Sequence, residues 1–150
     1  MFNGVVVSTG KVRDLLVIDD DIGQVQLLRL LLTELGLPHR CHAVHDGRKA
    51  LDFLHHQGSF GDAPRPDLIL LDLNMPGMAG CEVLSRIKHD PELRNIPVII
   101  LSQSRDRADV IACYGERANA YIAKPADLDS NLELVQELER FWLQTASLPK

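Results

Sequence analysis

The chain is predicted to fold as an α/β protein, with five parallel strands covered by helices on both faces. Three observations carry that prediction. Short aliphatic runs of strand length alternate with longer stretches whose apolar residues recur at helical spacing, which implies successive β-α-β units with right-handed crossovers. Two of the runs, Leu68-Ile69-Leu70-Leu71 and Ile96 to Leu101, are almost wholly aliphatic, as strands buried on both faces are. Four of the five runs end in polar side chains where the chain turns, and open parallel sheets bind ligands at that rim.

Asp14 to Ile18 is the first strand, and it ends in Asp19-Asp20-Asp21. Three adjacent acids repel one another. Asp21 suits the N-cap of the next helix, which leaves Asp19 and Asp20 to hold a divalent cation. Ile22 to Leu35 is a helix with Val25, Leu28, Leu31, Leu32 and Leu35 on one face. Gly36 and Pro38 end it. Arg40 to Val44 is a shorter, more polar strand, as expected near a sheet edge. Gly47 to Gln57 is the second helix. Gly58 to Pro66 is rich in Gly and Pro and reads as a long surface loop, with the mobility that its length suggests.

The run from Leu68 is the third strand. It delivers Asp72 into the sharp turn Leu73-Asn74-Met75-Pro76-Gly77. Cys81 to His89 is the third helix. Ile96 to Leu101 is the fourth strand, ending at Ser102. Arg105 to Gly115 is the fourth helix. Ala118 to Ala123 is the fifth strand, ending in Lys124-Pro125. Asp127 caps a last helix reaching about Thr145. On it Leu128, Leu132, Val135, Leu138 and Trp142 are expected to face the sheet, with Leu134 and Phe141 beside that stripe.

Composition bounds the function. One hundred and fifty residues suit one domain with a full core. A net charge of −5 argues against nonspecific nucleic-acid binding, which needs clustered basic residues. No apolar run approaches the roughly 18 residues of a membrane span, and Met1 to Lys11 lacks the basic start and apolar length of a secretory signal. Those residues, 1–11, read as a loose arm or an added short strand. Cys41, Cys81 and Cys113 are odd in number and show no CxxC spacing. They read as buried thiols in a reducing cytoplasm and give no reason to expect a chromophore. The six histidines form no chelating pair. His42 and His45 point to opposite faces of a strand, and His55 and His56 diverge on a helix. All six are expected at solvent or at edges.

In the strand order 2-1-3-4-5, the flavodoxin-like arrangement, strands 1, 3, 4 and 5 are neighbours. Asp19, Asp20, Asp72, Ser102 and Lys124 then share one rim. Three carboxylates together raise at least one pKa unless a cation joins them. Mg²⁺ answers this, with Mn²⁺ or another divalent cation as a substitute. Asp20 and Asp72 would bind directly, Asp19 through water, and the Asn74 backbone carbonyl would face the same point. Asp72 is then a candidate nucleophile toward phosphorus. Lys124, the Ser102 hydroxyl and the turn N–H groups suit phosphoryl oxygens.

On these residues the chain resembles the receiver domain of two-component response regulators, over about 12–145. The features are Asp19-Asp20 after Val17-Ile18, Asp72-Leu73-Asn74-Met75-Pro76 with Gly80, Ser102, and Lys124-Pro125. The resemblance implies a CheY-like three-layer α/β/α fold and Asp72 as phosphoacceptor. It also implies a cis Lys124–Pro125 bond and Tyr121 as the aromatic of the switch. Residues 146–150 would be a tail, with no output domain. A narrower resemblance, through Ile96-Pro97-Val98, Cys113-Tyr114, the stretch from Ala118 to Pro125, and Phe141-Trp142-Leu143, is to the small response regulators of cyanobacterial phytochrome histidine kinases. It implies a phytochrome-type kinase as partner. It also implies a homodimer through the helix 4–strand 5–helix 5 face, with Leu134, Phe141 and Trp142 at the surface. Such a protein is a cytoplasmic phosphoacceptor and not a dedicated enzyme. Gln103 departs from the small residue that many receivers place after the hydroxyl, and could restrict access to the site. Two alternatives stand beside this reading. One is a pseudo-receiver that binds partners without being phosphorylated. The other is a haloacid-dehalogenase-type phosphatase, which would want a second acid where Asn74 stands.

Overall fold

The computed structural model describes residues 11–150. The arm expected over residues 1–11 therefore lies, but for Lys11, outside the described residues. Among the described residues there are five strands: β1 (Asp14–Ile18), β2 (Arg40–Val44), β3 (Leu68–Leu71), β4 (Val98–Ser102) and β5 (Ala120–Ala123). They form one parallel sheet in the order β2-β1-β3-β4-β5. The helices are α1 (Ile22–Glu34), α2 (Gly47–Leu54), α3 (Gly80–His89), α4 (Arg107–Gly115) and α5 (Leu128–Glu137).

Alternate residues of each strand point to opposite faces, so the sheet divides the core in two. Leu16, Ile18, Ile69, Leu71, Val98 and Ile100 pack with α2, α3 and Cys113 of α4. Leu15, Val17, Leu68, Leu70, Ile99 and Leu101 pack with α1 and α5. Aspartates cap four helices: Asp21, Asp46, Asp106 and Asp127 each accept a backbone N–H of the first turn.

β1 opens on a buried acid, Asp14. It accepts Arg40 Nε at 2.7 Å and Nη2 at 3.0 Å, and lies 3.0 Å from His42 Nε2. The Arg40 bond, with help from His42 and Lys150 and against burial, holds its carboxyl well below the usual range. This ties β1 to β2 at the rim opposite the candidate site.

The long loop is anchored. A 3₁₀ turn spans Gly58–Phe60, Arg65 Nη1 donates to Leu54 O, and the Phe60 ring lies 5.5 Å from that of Phe53. Another anchor is Lys88. It is buried, and its ammonium donates to Arg94 O, Ile96 O and Asn119 Oδ1. It therefore fastens the loop between α3 and β4 to the start of β5.

Three expectations are corrected. His39 is not at solvent, although it leads into the edge strand β2. Its side chain is 1 % exposed and faces Glu139 Oε2 at 2.5 Å, with Glu139 equally enclosed. Arg13 N–H donates to His39 Nδ1 at 3.0 Å, which leaves the ring proton on Nε2. The last helix also changes phase. Beyond α5 it continues as a π-helix, Leu138–Thr145, whose wider turn brings Leu143 inward five residues after Leu138. Leu134 is in the core, 6 % exposed, and does not belong to a surface patch. Leu128 and Phe141, the latter 55 % exposed, stand outward, while half-buried Trp142 packs against the α1 and α5 half of the core and meets the Phe141 ring edge-to-face at 5.3 Å. Finally, no peptide bond among the described residues is cis, so Lys124–Pro125 is trans. Trans is the preferred isomer even before proline.

Candidate functional site

The carboxyl ends of β1, β3, β4 and β5 meet, as their parallel pairing requires. Asp72 N–H donates to Ile18 O at 2.9 Å and Lys124 N–H to Ser102 O at 2.7 Å, so the ladder extends just past the strands and fixes the residues that follow them. Asp19, Asp72 and Ser102 are buried, while Asp20 is exposed at the mouth.

The acid triplet divides its labour. Asp21 accepts Gln24 N–H at the start of α1, while Asp19 Oδ1 accepts Asp21 N–H at 2.9 Å. Asp19, Asp20 and Asp72 can each offer an oxygen within 4.8 Å of the others. Lys124 Nζ lies 2.8 Å from Asp19 Oδ2 and 3.6 Å from Asp72 Oδ2. Two of these carboxylates thus share one ammonium, and the third, Asp20, has no cationic partner among the described residues. Burial, and next the charge of Asp19, push Asp72 up to about 6, against the Lys124 charge and the Asn74 N–H, which lower it. Burial opposes the Lys124 charge, but its bond to Asp19 and the charges of Asp19, Asp72 and Asp21 outweigh burial and raise its pKa. An oxygen-lined acid cluster with too little positive charge fits a hard divalent cation.

Asn74 N–H reaches Asp72 Oδ1 at 3.3 Å, which folds the turn back over the acid. Gly80 sits against that turn. A Cβ built on it would lie 2.2 Å from Asp72 O and 2.6 Å from Leu73 Cα, so only glycine lets α3 begin there. Gln103 is exposed.

Sequence reasoning missed two participants. Ser104 links the two switch residues: its N–H donates to Ser102 Oγ at 3.2 Å, and its carbonyl accepts the half-buried Tyr121 hydroxyl at 2.8 Å. Its own hydroxyl donates to Asp109 of α4 at 2.5 Å. The Ser-x-Ser spacing was the available signal. His45 Nδ1 lies 3.0 Å from Asp19 O, a contact between distant segments that no local pattern announces.

The family model for the response regulator receiver domain matches residues 15–136. Response regulator Rcp1 of Synechocystis sp. is 40% identical over 135 residues, 90% of this chain and 92% of that protein. The crystal structure of the phosphorylated cyanobacterial phytochrome response regulator RcpA superposes with a TM-score of 0.88 at 39% identity, covering 93% of this chain and all of that one. The Mn²⁺-bound form of Rcp1 gives 0.85 at 39% identity, over 92% of this chain and 99% of that one.

Proposed function

The chain belongs to the response regulator receiver family, and from that premise we propose that it accepts a phosphoryl group on Asp72 from a phytochrome-type histidine kinase. It is a signalling protein of the two-component class and not a dedicated enzyme. No described helix is long and apolar enough to cross a membrane, and the proposed work is cytoplasmic. The observation that carries the reading is the buried Asp72–Asp19–Lys124 cluster with Asp20 at its mouth.

An Asp72 carboxylate oxygen attacks the phosphorus of a phosphohistidine. The N–P bond breaks as the O–P bond forms, leaving an acyl phosphate and a neutral imidazole. Asp19, Asp20, Asp72 and the Asn74 carbonyl would hold Mg²⁺, which offsets the charge gathered on the phosphoryl oxygens. Lys124 holds an ammonium 3.6 Å from Asp72 Oδ2, where it can meet the phosphoryl oxygens. The Ser102 hydroxyl then turns to the phosphoryl group. Because Ser102 and Tyr121 both bond Ser104, that turn reaches the α4–β5–α5 surface through one residue.

The reading is tested by intact mass after incubation with acetyl phosphate and Mg²⁺. Wild type should gain one phosphoryl group and lose it with chelator present, while Asp72→Asn should gain none. A wild type that gains nothing would move the chain to the non-phosphorylated binding modules. A gain in the variant would mean that another residue is the acceptor. Ser102→Ala should still gain the phosphoryl group, but amide exchange along α4 and β5 should no longer change with it. A normal response would remove the relay.

We also propose a homodimer through the Phe141 and Trp142 edge, where a large apolar side chain stands in solvent. Phe141→Asp should sediment as a folded monomer at concentrations where wild type is a dimer. An unchanged sedimentation coefficient would place the interface elsewhere.

A further inference from the structure

The three thiols cease to be equivalent once the chain folds. Cys41 lies on β2 and packs with the α1 and α5 half of the core. Cys81 stands in the first turn of α3 and Cys113 two residues from the end of α4. β3 and β4 are neighbours, so the helices that follow them lie side by side on the other face. There Cys113 is fully enclosed, and half-buried Cys81 packs against the same cluster. The Cys81 thiol is near enough to act on Cys113 directly, and both side chains pack into one cluster. Burial first, then the Cys81 thiol and Asp109, push Cys113 up to about 12, which keeps it a protonated thiol. Cys81 is the member a solute can reach.

We propose that Cys81 and Cys113 form a reversible thiol–disulfide clamp between α3 and α4, closed by a peroxide. The Cys81 sulfur attacks the peroxide oxygen and the O–O bond breaks. Cys81 is oxidised to a sulfenic acid, and the peroxide is reduced to water. The Cys113 sulfur then displaces hydroxide from Cys81. The S–S bond forms, and the Cys113 proton leaves with the hydroxide as a second water. Two electrons pass from the thiols to the peroxide. A small-molecule thiol reverses the bond by exchange. The high pKa of Cys113 makes the second step the slower one.

The positions of the two helices give the clamp its meaning. α3 starts at Gly80, directly against the backbone of Asp72. α4 follows the Ser102–Ser104 segment to which Tyr121 is bonded, and Asp109 on α4 accepts the Ser104 hydroxyl. A covalent tie from Cys81 to Cys113 fixes the helix of the acid turn to the helix of the Ser–Tyr link. It would restrain α4 whether or not Asp72 is phosphorylated.

The test uses the full chain, reduced and then treated with hydrogen peroxide. Intact mass should fall by two hydrogens, and peptide mapping should find the Cys81 and Cys113 peptides joined and separable by reductant. Cys41→Ser should behave as wild type. Cys81→Ser and Cys113→Ala should form no link. Amides of α4 should exchange about tenfold more slowly in the oxidised protein, with no such change in peroxide-treated Cys81→Ser. The proposal is overturned by Cys81 ending as a sulfinic acid with Cys113 free, or by a bond joining two copies through Cys81. It is equally overturned if α4 exchanges at the same rate with and without the bond.

Discussion

Gly80→Ala is expected to destabilise the protein by about 2–4 kcal/mol, toward the upper end of overpacking costs, because the clash is with backbone. The added methyl would meet Asp72 O at 2.2 Å and Leu73 Cα at 2.6 Å. No rotamer change relieves this. Either α3 or the acid turn must move, and the bond from Gly80 N to Leu73 O must stretch or break. The expected fall in Tm is roughly 5–15 °C for a domain of this size. Phosphoryl gain should fall with it, because the part displaced carries Asp72. Gly77→Ala is the contrast. Gly77 has φ +78 with nothing near its Cβ position, so alanine there meets only the left-handed backbone cost of about 1–2 kcal/mol. Equal Tm values for the two variants would show that the Gly80 contact relaxes freely.

Asp72→Asn is expected to stabilise the metal-free protein at neutral pH by as much as about 3 kcal/mol, at about 1.4 kcal/mol per pKa unit. The folded chain holds this carboxyl up at about 6 from an ordinary 3.8. Between those values the folded state binds a proton that the unfolded state does not, so stability falls as pH rises through the window. Above pH 6 the full penalty is present, and below about 4 it is absent. Asp14, held below the usual range, acts oppositely. Its contribution is present above the unfolded pKa and lost as pH falls below it. Urea titrations in chelator should therefore show wild-type stability rising from pH 7 toward pH 4, then declining. The Asn variant should be flat over pH 4–7. Adding Mg²⁺ should stabilise wild type at pH 7 much more than the variant. A wild type with no slope in that window would mean that Lys124 already balances the site.

Much of this was legible in the sequence. β3 reads itself out because an aliphatic run has one ordered state when buried on both faces. The rim residues follow, because parallel pairing brings strand ends to one side. What was not legible comes from pairs distant in sequence. His39 sits between Pro38 and Arg40 and looks like a turn residue. Only its meeting with Glu139, a hundred residues on, makes it a core group. Nothing local marks Lys88, in the last turn of α3, as a buried charge, yet carbonyls of the following loop enclose it. The apparent stripe of the last helix assumed a constant period, and a period is what the chain changes after Leu138.

That wide turn bears on how such a gene can vary in length. Between Leu138 and Leu143, five residues cover the angular distance that four cover in an ordinary helix. Deleting one codon inside that stretch lets the helix close at its usual pitch, with both leucines still inward. Within α5 itself the same deletion would rotate every later side chain off the sheet. The segment is an expansion joint in which descent can add or remove a residue while the core behind it keeps its frame.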